Sequence, residues 1–407
     1  MSKKHTSKTT VRKKQGILFP IMYCAVRVYC FFCGIHIKPV KKYTSKPDSP
    51  SIVLCNHGSF IDFIYAASLI WKSRPHFVVA RLYFYHRLLG GLLKTLEAFP
   101  KSMFALDIEC TKNCYRVLKN GGMLVMMPEA RLSTAGQFED IQPNTYSFLK
   151  KAGASVYTVK LNGNYFANPK WGKGMRRGSC VEAEFDILFS ADELKEISLE
   201  QIEQKIYDRL NYDEFEWIKT RPNVRYRSRN LAKGLENILT VCPVCKEKYT
   251  ITTDKHDIFC KNCGKLTSLD DRYGFDPEFC FENFSQWYNW QKELLKEQIL
   301  ADKDFILSAD TELWLPGNGK TLTRLAGTGV CALSRSGLTY RGTRDGEPYE
   351  VSFSLRGIYR LLFGAGKNFE IYNGTEILYF VPKIKQSCVE WYMASMILYD
   401  EVVGRKP

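Results

Sequence analysis

Three groups of residues in this sequence have the types and spacing to do chemistry. His57 and Asp62 stand five apart in "NHGSFID", and an imidazole backed by a carboxylate is a general base suited to neutral pH. On a regular helix, positions five apart point roughly 140° from one another. The pair therefore meets only if Gly58 and Ser59 break the helix. Glu129 and Arg131, in "MPEARLS", place a carboxylate and a guanidinium just after Pro128. Cys242, Cys245, Cys260 and Cys263 form two C-x-x-C knuckles, the pattern of a tetrahedral zinc site. Four thiolates leave no position for water, so the metal is expected to be structural. A covalent, hydrolase-type route needs a nucleophile, but no G-x-S-x-G elbow is present, and Cys55 falls inside an apolar run.

The elements that must carry these residues follow from hydrophobic pattern. The apolar run 51–55 reads as a buried strand, and a helical pattern resumes around Asp62, where the helix dipole favours a carboxylate. A strand, a sharp turn bearing His57 and a helix bearing Asp62 would orient the imidazole. The run "MLVMM" is a second buried strand ended by Pro128, so Glu129 and Arg131 emerge at its C-terminal end, the end at which open α/β sheets bind ligands. Between them "CTKNCYRVLKNGG" reads as a helix closed by Gly121 and Gly122. Strands at 155–163 and 181–189 complete an alternating α/β pattern. His57 and Arg131 are thus expected to share one crevice.

The chain of 407 residues, 45% apolar, is long enough for several modules. Its net charge of +15 is concentrated at the start, where Lys3, Lys4, Lys8, Arg12, Lys13 and Lys14 precede any acidic residue. The apolar stretch 16–35 follows, interrupted by Pro20 and Arg27. A central arginine costs on the order of 3 kcal/mol for insertion, so an interfacial helix is expected over a spanning one. A basic arm and an aromatic-rich helix supply the two attractions of peripheral binding to an anionic membrane surface. No small-x-small cleavage pattern follows, which argues against a signal peptide. Fourteen cysteines placed in apolar segments or in one tight cluster fit a reducing compartment. Downstream, 281–300 reads as an amphipathic connecting helix. From 304 onward short strands and turn signals end in a helix, a pattern similar to a pleckstrin-homology-like or GRAM-like β-barrel.

"NHGSFID" and "MPEARLS" resemble two sequence blocks of the glycerolipid acyltransferases typified by 1-acyl-glycerol-3-phosphate acyltransferase. "FPKSMFALD" and "SVYTVKLNG" stand where that family carries two further blocks. The resemblance covers roughly 50–190, and a ribbon after the catalytic domain also occurs in relatives. It implies a mixed sheet flanked by helices. It implies that His57, oriented by Asp62, activates an acceptor hydroxyl for attack on acyl-CoA or acyl carrier protein. It implies that Arg131 and Lys101 hold a lysophospholipid phosphate, with Glu129 bonding the glycerol hydroxyl or fixing Arg131. The expected product is phosphatidic acid, made at the cytoplasmic face of the cell membrane by a peripheral or single-anchored enzyme, with no nucleic-acid partner. Ala130 replaces the family's usual glycine, and Lys101 offers a point charge where an arginine fork is usual. The expected segments are an arm and helix at 1–48, the acyltransferase domain at 49–240, the ribbon at 241–268, a connecting helix at 269–303 and the β domain at 304–407. Alternatives are an enzyme for another lysolipid, a zinc-ribbon nucleic-acid binder betrayed by salt-dependent binding, and a lipid-binding scaffold that does not turn over.

Overall fold

A computed structural model describes residues 16–317 and 321–404. The basic residues between Lys3 and Lys14 lie outside them. The first sheet comprises β1 (His36–Lys41), β2 (Ser51–Cys55), β3 (His76–Ala80), β4 (Phe99–Lys101), β5 (Met123–Met126), β6 (Ser155–Asn162) and β7 (Cys180–Phe189). Its order is β1-β7-β6-β2-β5-β3-β4. Strand β2 runs parallel to both β5 and β6, while β7 turns back antiparallel to β6, so the sheet is mixed.

Every residue of β2 is buried, as a central strand covered on both faces requires. Because side chains alternate along a strand, Ile52 and Leu54 pack on one side with Val117, Leu124 and Val156. Val53 and Cys55 face the other side, among Tyr65, Val125 and Val159. Parallel pairing brings the C-terminal ends of β6, β2 and β5 side by side, forming one rim.

The helix Leu18–Phe32 buries only Phe19 and Cys30. Phe19 stacks on Phe77 and Tyr23 on Trp71, while Phe31 and Phe32 remain 70% and 77% exposed. Among the described residues no helix is long and apolar enough to cross a membrane.

One cysteine knuckle precedes, and the other connects strands of, a small antiparallel sheet of β8 (Ile251–Asp254), β9 (Asp257–Cys260) and β10 (Gly264–Ser268). Its Ile251 and Ile258 belong to the same hydrophobic cluster as Val53 and Val159. The helix Phe284–Ala301 is more than a connector: Trp287 Nε1 donates to Val241 O at 2.9 Å, and Thr240 N donates to Gln291 Oε1 at 2.8 Å. It is a pillar on which the ribbon rests.

The C-terminal sheet contains β11 (Leu307–Pro316), β12 (Thr323–Ser334), β13 (Gly337–Arg344), β14 (Glu347–Ser354), β15 (Leu362–Gly364), β16 (Asn368–Asn373) and β17 (Glu376–Pro382), in the order β14-β13-β12-β11-β17-β16-β15. The expected barrel does not close, because β14 and β15 are edges with one neighbour each. The chain between them is used elsewhere: Ile358, Tyr359, Arg360 and Leu361 are buried, and Leu361 N donates to Ser395 Oγ on the final helix, Cys388–Val403. That helix packs on the sheet through Trp391 against Phe369 and Tyr392 against Phe363.

Candidate active site

Asn56 locks the end of β2 to β6: its Nδ2 donates to Leu161 O at 2.9 Å and its Oδ1 accepts from Leu161 N at 2.7 Å. The chain then turns, and His57 Nδ1 comes to 3.0 Å from Asp62 Oδ2. Asp62, fully buried, opens the helix Asp62–Ile70. Its carboxylate also accepts from Ser59 N at 2.8 Å and from Asn164 Nδ2 at 2.9 Å. Gly58 makes the approach possible, since a Cβ there would lie 2.8 Å from Asn164 Nδ2. Asn164 is itself aimed by Gly163, whose φ of +79° and close contact with Cys180 O admit only glycine. His57 keeps 22% of its side chain exposed. A carboxylate on Nδ1 leaves the Nε2 lone pair for a substrate proton.

Glu129 joins the two strand ends. Its Oε1 accepts from His57 N at 2.7 Å and its Oε2 from Glu139 N at 2.9 Å. Burial pushes its carboxyl well above the ordinary range. Glu129 was expected on the acceptor or on Arg131, but both oxygens are engaged by backbone, because a buried carboxylate must be satisfied locally. It holds the backbone of His57.

Arg131 lies at the expected strand end, yet its guanidinium turns to carboxylates. Nε and Nη2 donate to Glu139 Oε2 at 3.1 and 3.0 Å, and Nη2 to Asp140 Oδ1 at 3.2 Å. The rings of Phe104 and Tyr392 lie 5.7 and 5.6 Å from it. Although burial opposes it, Arg131 and Arg360 hold Asp140 well below the usual carboxyl range. Arg131 Nη1 is buried with no hydrogen-bond partner. Lys101 ends β4, where its Nζ donates to Ala105 O at 3.3 Å, into its own loop.

Several residues around the crevice escaped the sequence reading. The acidic pair Glu139 and Asp140, soon after Arg131, was a legible signal. Asn164, Arg360 and Tyr392 carried none: Tyr392 donates to Glu139 Oε2 at 2.8 Å, and Arg360 Nη2 donates to Asp140 Oδ2 at 2.5 Å, both across the chain.

The four cysteine sulfurs lie within 4.8 Å of one another, with Cys242 to Cys263 at 4.0 Å and Cys245 to Cys260 at 3.7 Å. Zinc with Zn–S bonds of about 2.3 Å places tetrahedral sulfurs about 3.8 Å apart, so the donor set fits that ion. Each knuckle turns through a left-handed residue after its second cysteine, Lys246 at φ +64° and Gly264 at +79°.

The site is a mixed α/β sheet with an aspartate-backed histidine at the C-terminal ends of its parallel strands, an arrangement suited to general-base chemistry. Residues 36–162 match the Acyltransferase family model. The segment that bears His57 and Asp62 is thus similar to an acyltransferase domain. It is 24% identical over 166 residues to the chloroplastic 1-acyl-sn-glycerol-3-phosphate acyltransferase LPAT1 of Arabidopsis thaliana, covering 40% of this chain and 46% of that one. It is 22% identical to the chloroplastic enzyme BAT2 of Brassica napus, covering 40% and 47%. The chain thus spans about half the length of these curated relatives. Among solved structures, the 1-acyl-sn-glycerophosphate acyltransferase PlsC of Thermotoga maritima aligns with 50% of this chain and 80% of its own, at 15% identity and a TM-score of 0.42.

Proposed function

We propose that this protein transfers a fatty acyl group from acyl-CoA or acyl carrier protein to the free hydroxyl of 1-acyl-glycerol-3-phosphate, giving phosphatidic acid. The observation that carries this reading is the 3.0 Å contact between His57 Nδ1 and the buried Asp62, made on the rim shared by β6, β2 and β5. His57 Nε2 takes the acceptor hydroxyl proton as the oxygen attacks the thioester carbonyl. The tetrahedral adduct collapses, the C–S bond breaks, and the leaving thiolate recovers the proton from His57. Asp62 holds the imidazole and balances its transient positive charge. Glu129 positions His57 through the backbone, and Arg131, with Lys101 at the end of β4, supplies positive charge for the acceptor phosphate.

In this reading the enzyme occupies 49–240, and the ribbon at 241–268 is a structural zinc staple holding Cys242, Cys245, Cys260 and Cys263 around the ion. The exposed Phe31 and Phe32, on the helix that follows the basic stretch of the sequence, suit peripheral attachment to an anionic membrane on its cytoplasmic side. Replacing both by aspartate should abolish flotation with anionic vesicles. The deciding experiment incubates purified protein and labelled acyl-CoA with a panel of lysolipids. Labelled phosphatidic acid is the expected product, and a panel with no labelled lipid would refute the reading.

A further inference from the structure

The C-terminal β module meets the acyltransferase module at Arg131, and a second cation stands there without a hydrogen bond or ion pair. Lys170 lies in a tight turn beyond β6, in which Gly172 N donates to Pro169 O at 3.0 Å. Trp171 Nε1 donates to the Tyr165 hydroxyl at 2.9 Å, and that hydroxyl donates to Thr134 O at 2.8 Å. The turn is thereby tied to the segment that bears Arg131.

The Lys170 ammonium sits 3.6 Å from the ring centroid of Phe363 on β15 and 5.9 Å from that of Tyr392. Arg131 flanks the same Tyr392 ring at 5.6 Å. Among the described residues Lys170 makes no hydrogen bond or ion pair; Glu139 and Glu370 bear on its charge without pairing with it. Burial pulls its ammonium down to about 7, against the attraction of Glu139. Arg131 adds a second unfilled donor, the buried Nη1. Unsatisfied cationic donors that are buried, as Arg131 is, or half-buried, as Lys170 is, are costly. An anion with several oxygens is the ligand such donors suit, because an ammonium offers three donors and a phosphomonoester can accept from each.

We propose that Lys170, beside Arg131, binds the phosphomonoester of the acyl acceptor, and that Phe363 and Tyr392 of the C-terminal module form the shelf on which it rests. This deepens the acyltransferase reading and depends on it for the identity of the acceptor. The β module then takes part in acceptor selection, and removing Lys170 should cost binding of the phosphate rather than the chemical step. Inorganic phosphate and the phosphates of CoA share this chemistry, so the test must separate them.

Lys170→Met keeps the apolar stem, and Lys170→Arg keeps the charge. The methionine variant should raise KM for 1-acyl-glycerol-3-phosphate about tenfold or more, leave KM for acyl-CoA within about twofold, and leave turnover of the phosphate-free 1-acyl-glycerol unchanged. The arginine variant should recover most of the loss. An unchanged acceptor KM, or a donor KM that rises equally, would overturn the proposal. Independently of turnover, glycerol 3-phosphate should raise the unfolding midpoint of the wild-type protein and not that of Lys170→Met, whereas equal shifts in both would overturn it. If the wild-type protein acylates no lysolipid yet shows that protection, the acyltransferase reading fails while the anion site stands. Protection by inorganic phosphate but not by glycerol 3-phosphate would mean a free-phosphate site and sink the acceptor assignment.

Discussion

Asp62→Asn separates the geometry of the site from its charge. The carboxylate accepts from His57, Ser59 and Asn164. With the new Oδ1 kept toward His57 and Ser59, the amide nitrogen faces the nitrogen of Asn164. Asn164 Oδ1 is buried without a partner, so turning that amide over restores a donor-acceptor pair. The fold should therefore lose only about 1 kcal/mol. Catalysis should lose more, because the imidazolium loses its anionic partner, an ionic contribution of about 1.5–3 kcal/mol. At about 1.4 kcal/mol per decade, kcat should fall about 10- to 150-fold, with both KM values nearly unchanged. Should the new nitrogen turn to His57 instead, the wrong tautomer would take the loss toward about 10⁴-fold. The assay follows thiol release from acyl-CoA with 1-acyl-glycerol-3-phosphate, beside a thermal melt. A stable variant turning over within about threefold of wild type, or a His57→Ala protein with near-normal turnover, would refute the reasoning.

Other perturbations probe the rest of the molecule. Metal analysis should find about one zinc per chain; Cys242→Ser with Cys245→Ser should lower the melting midpoint while activity persists at low temperature, and a metal-free chain of full stability would contradict the staple. Burial pushes the Glu214 carboxyl from 4.5 up to about 8. The folded state then binds the extra proton, so stability should fall as pH rises from 4.5 through 8, by up to about 1.4 kcal/mol per unit. Glu214→Gln should flatten that slope in denaturant titrations, and parallel slopes would count against it. Ala130 holds a left-handed φ of +57°, so Ala130→Gly should leave activity intact and raise the urea midpoint by up to about 1 kcal/mol of stability, whereas a loss would show that its methyl group packs usefully.

What could be read in the chain was what depends on near neighbours. The meeting of His57 and Asp62 follows from a strand, a glycine-containing break and a helix start, all within a dozen residues. The strands β2, β5 and β6 are legible because central parallel strands are buried on both faces and appear as unbroken apolar runs. The cysteine knuckles are legible because two short spacings define a metal-sized cage.

Arg131 shows where such reading stops. Its position at the end of β5 was visible, but not the direction of its guanidinium, which is set by Glu139, Asp140 and the Tyr392 ring. Tyr392 arrives from the final helix, far along the chain, and no local pattern records that meeting. The open edge of the C-terminal sheet has the same origin: the hydrophobic pattern of 349–364 reads as one strand, but its middle is claimed by Ser395 and the neighbouring module, which splits it into β14 and β15. The sequence by itself therefore determined the meeting of His57 with Asp62, the alternating α/β order and the sulfur cage, since local spacing and burial pattern encode them. Only the tertiary structure decided which carboxylates face Arg131, that Glu129 serves the backbone of His57, and that Lys170 stands unpaired against Phe363, since each depends on long-range packing that hydrophobic periodicity leaves unspecified.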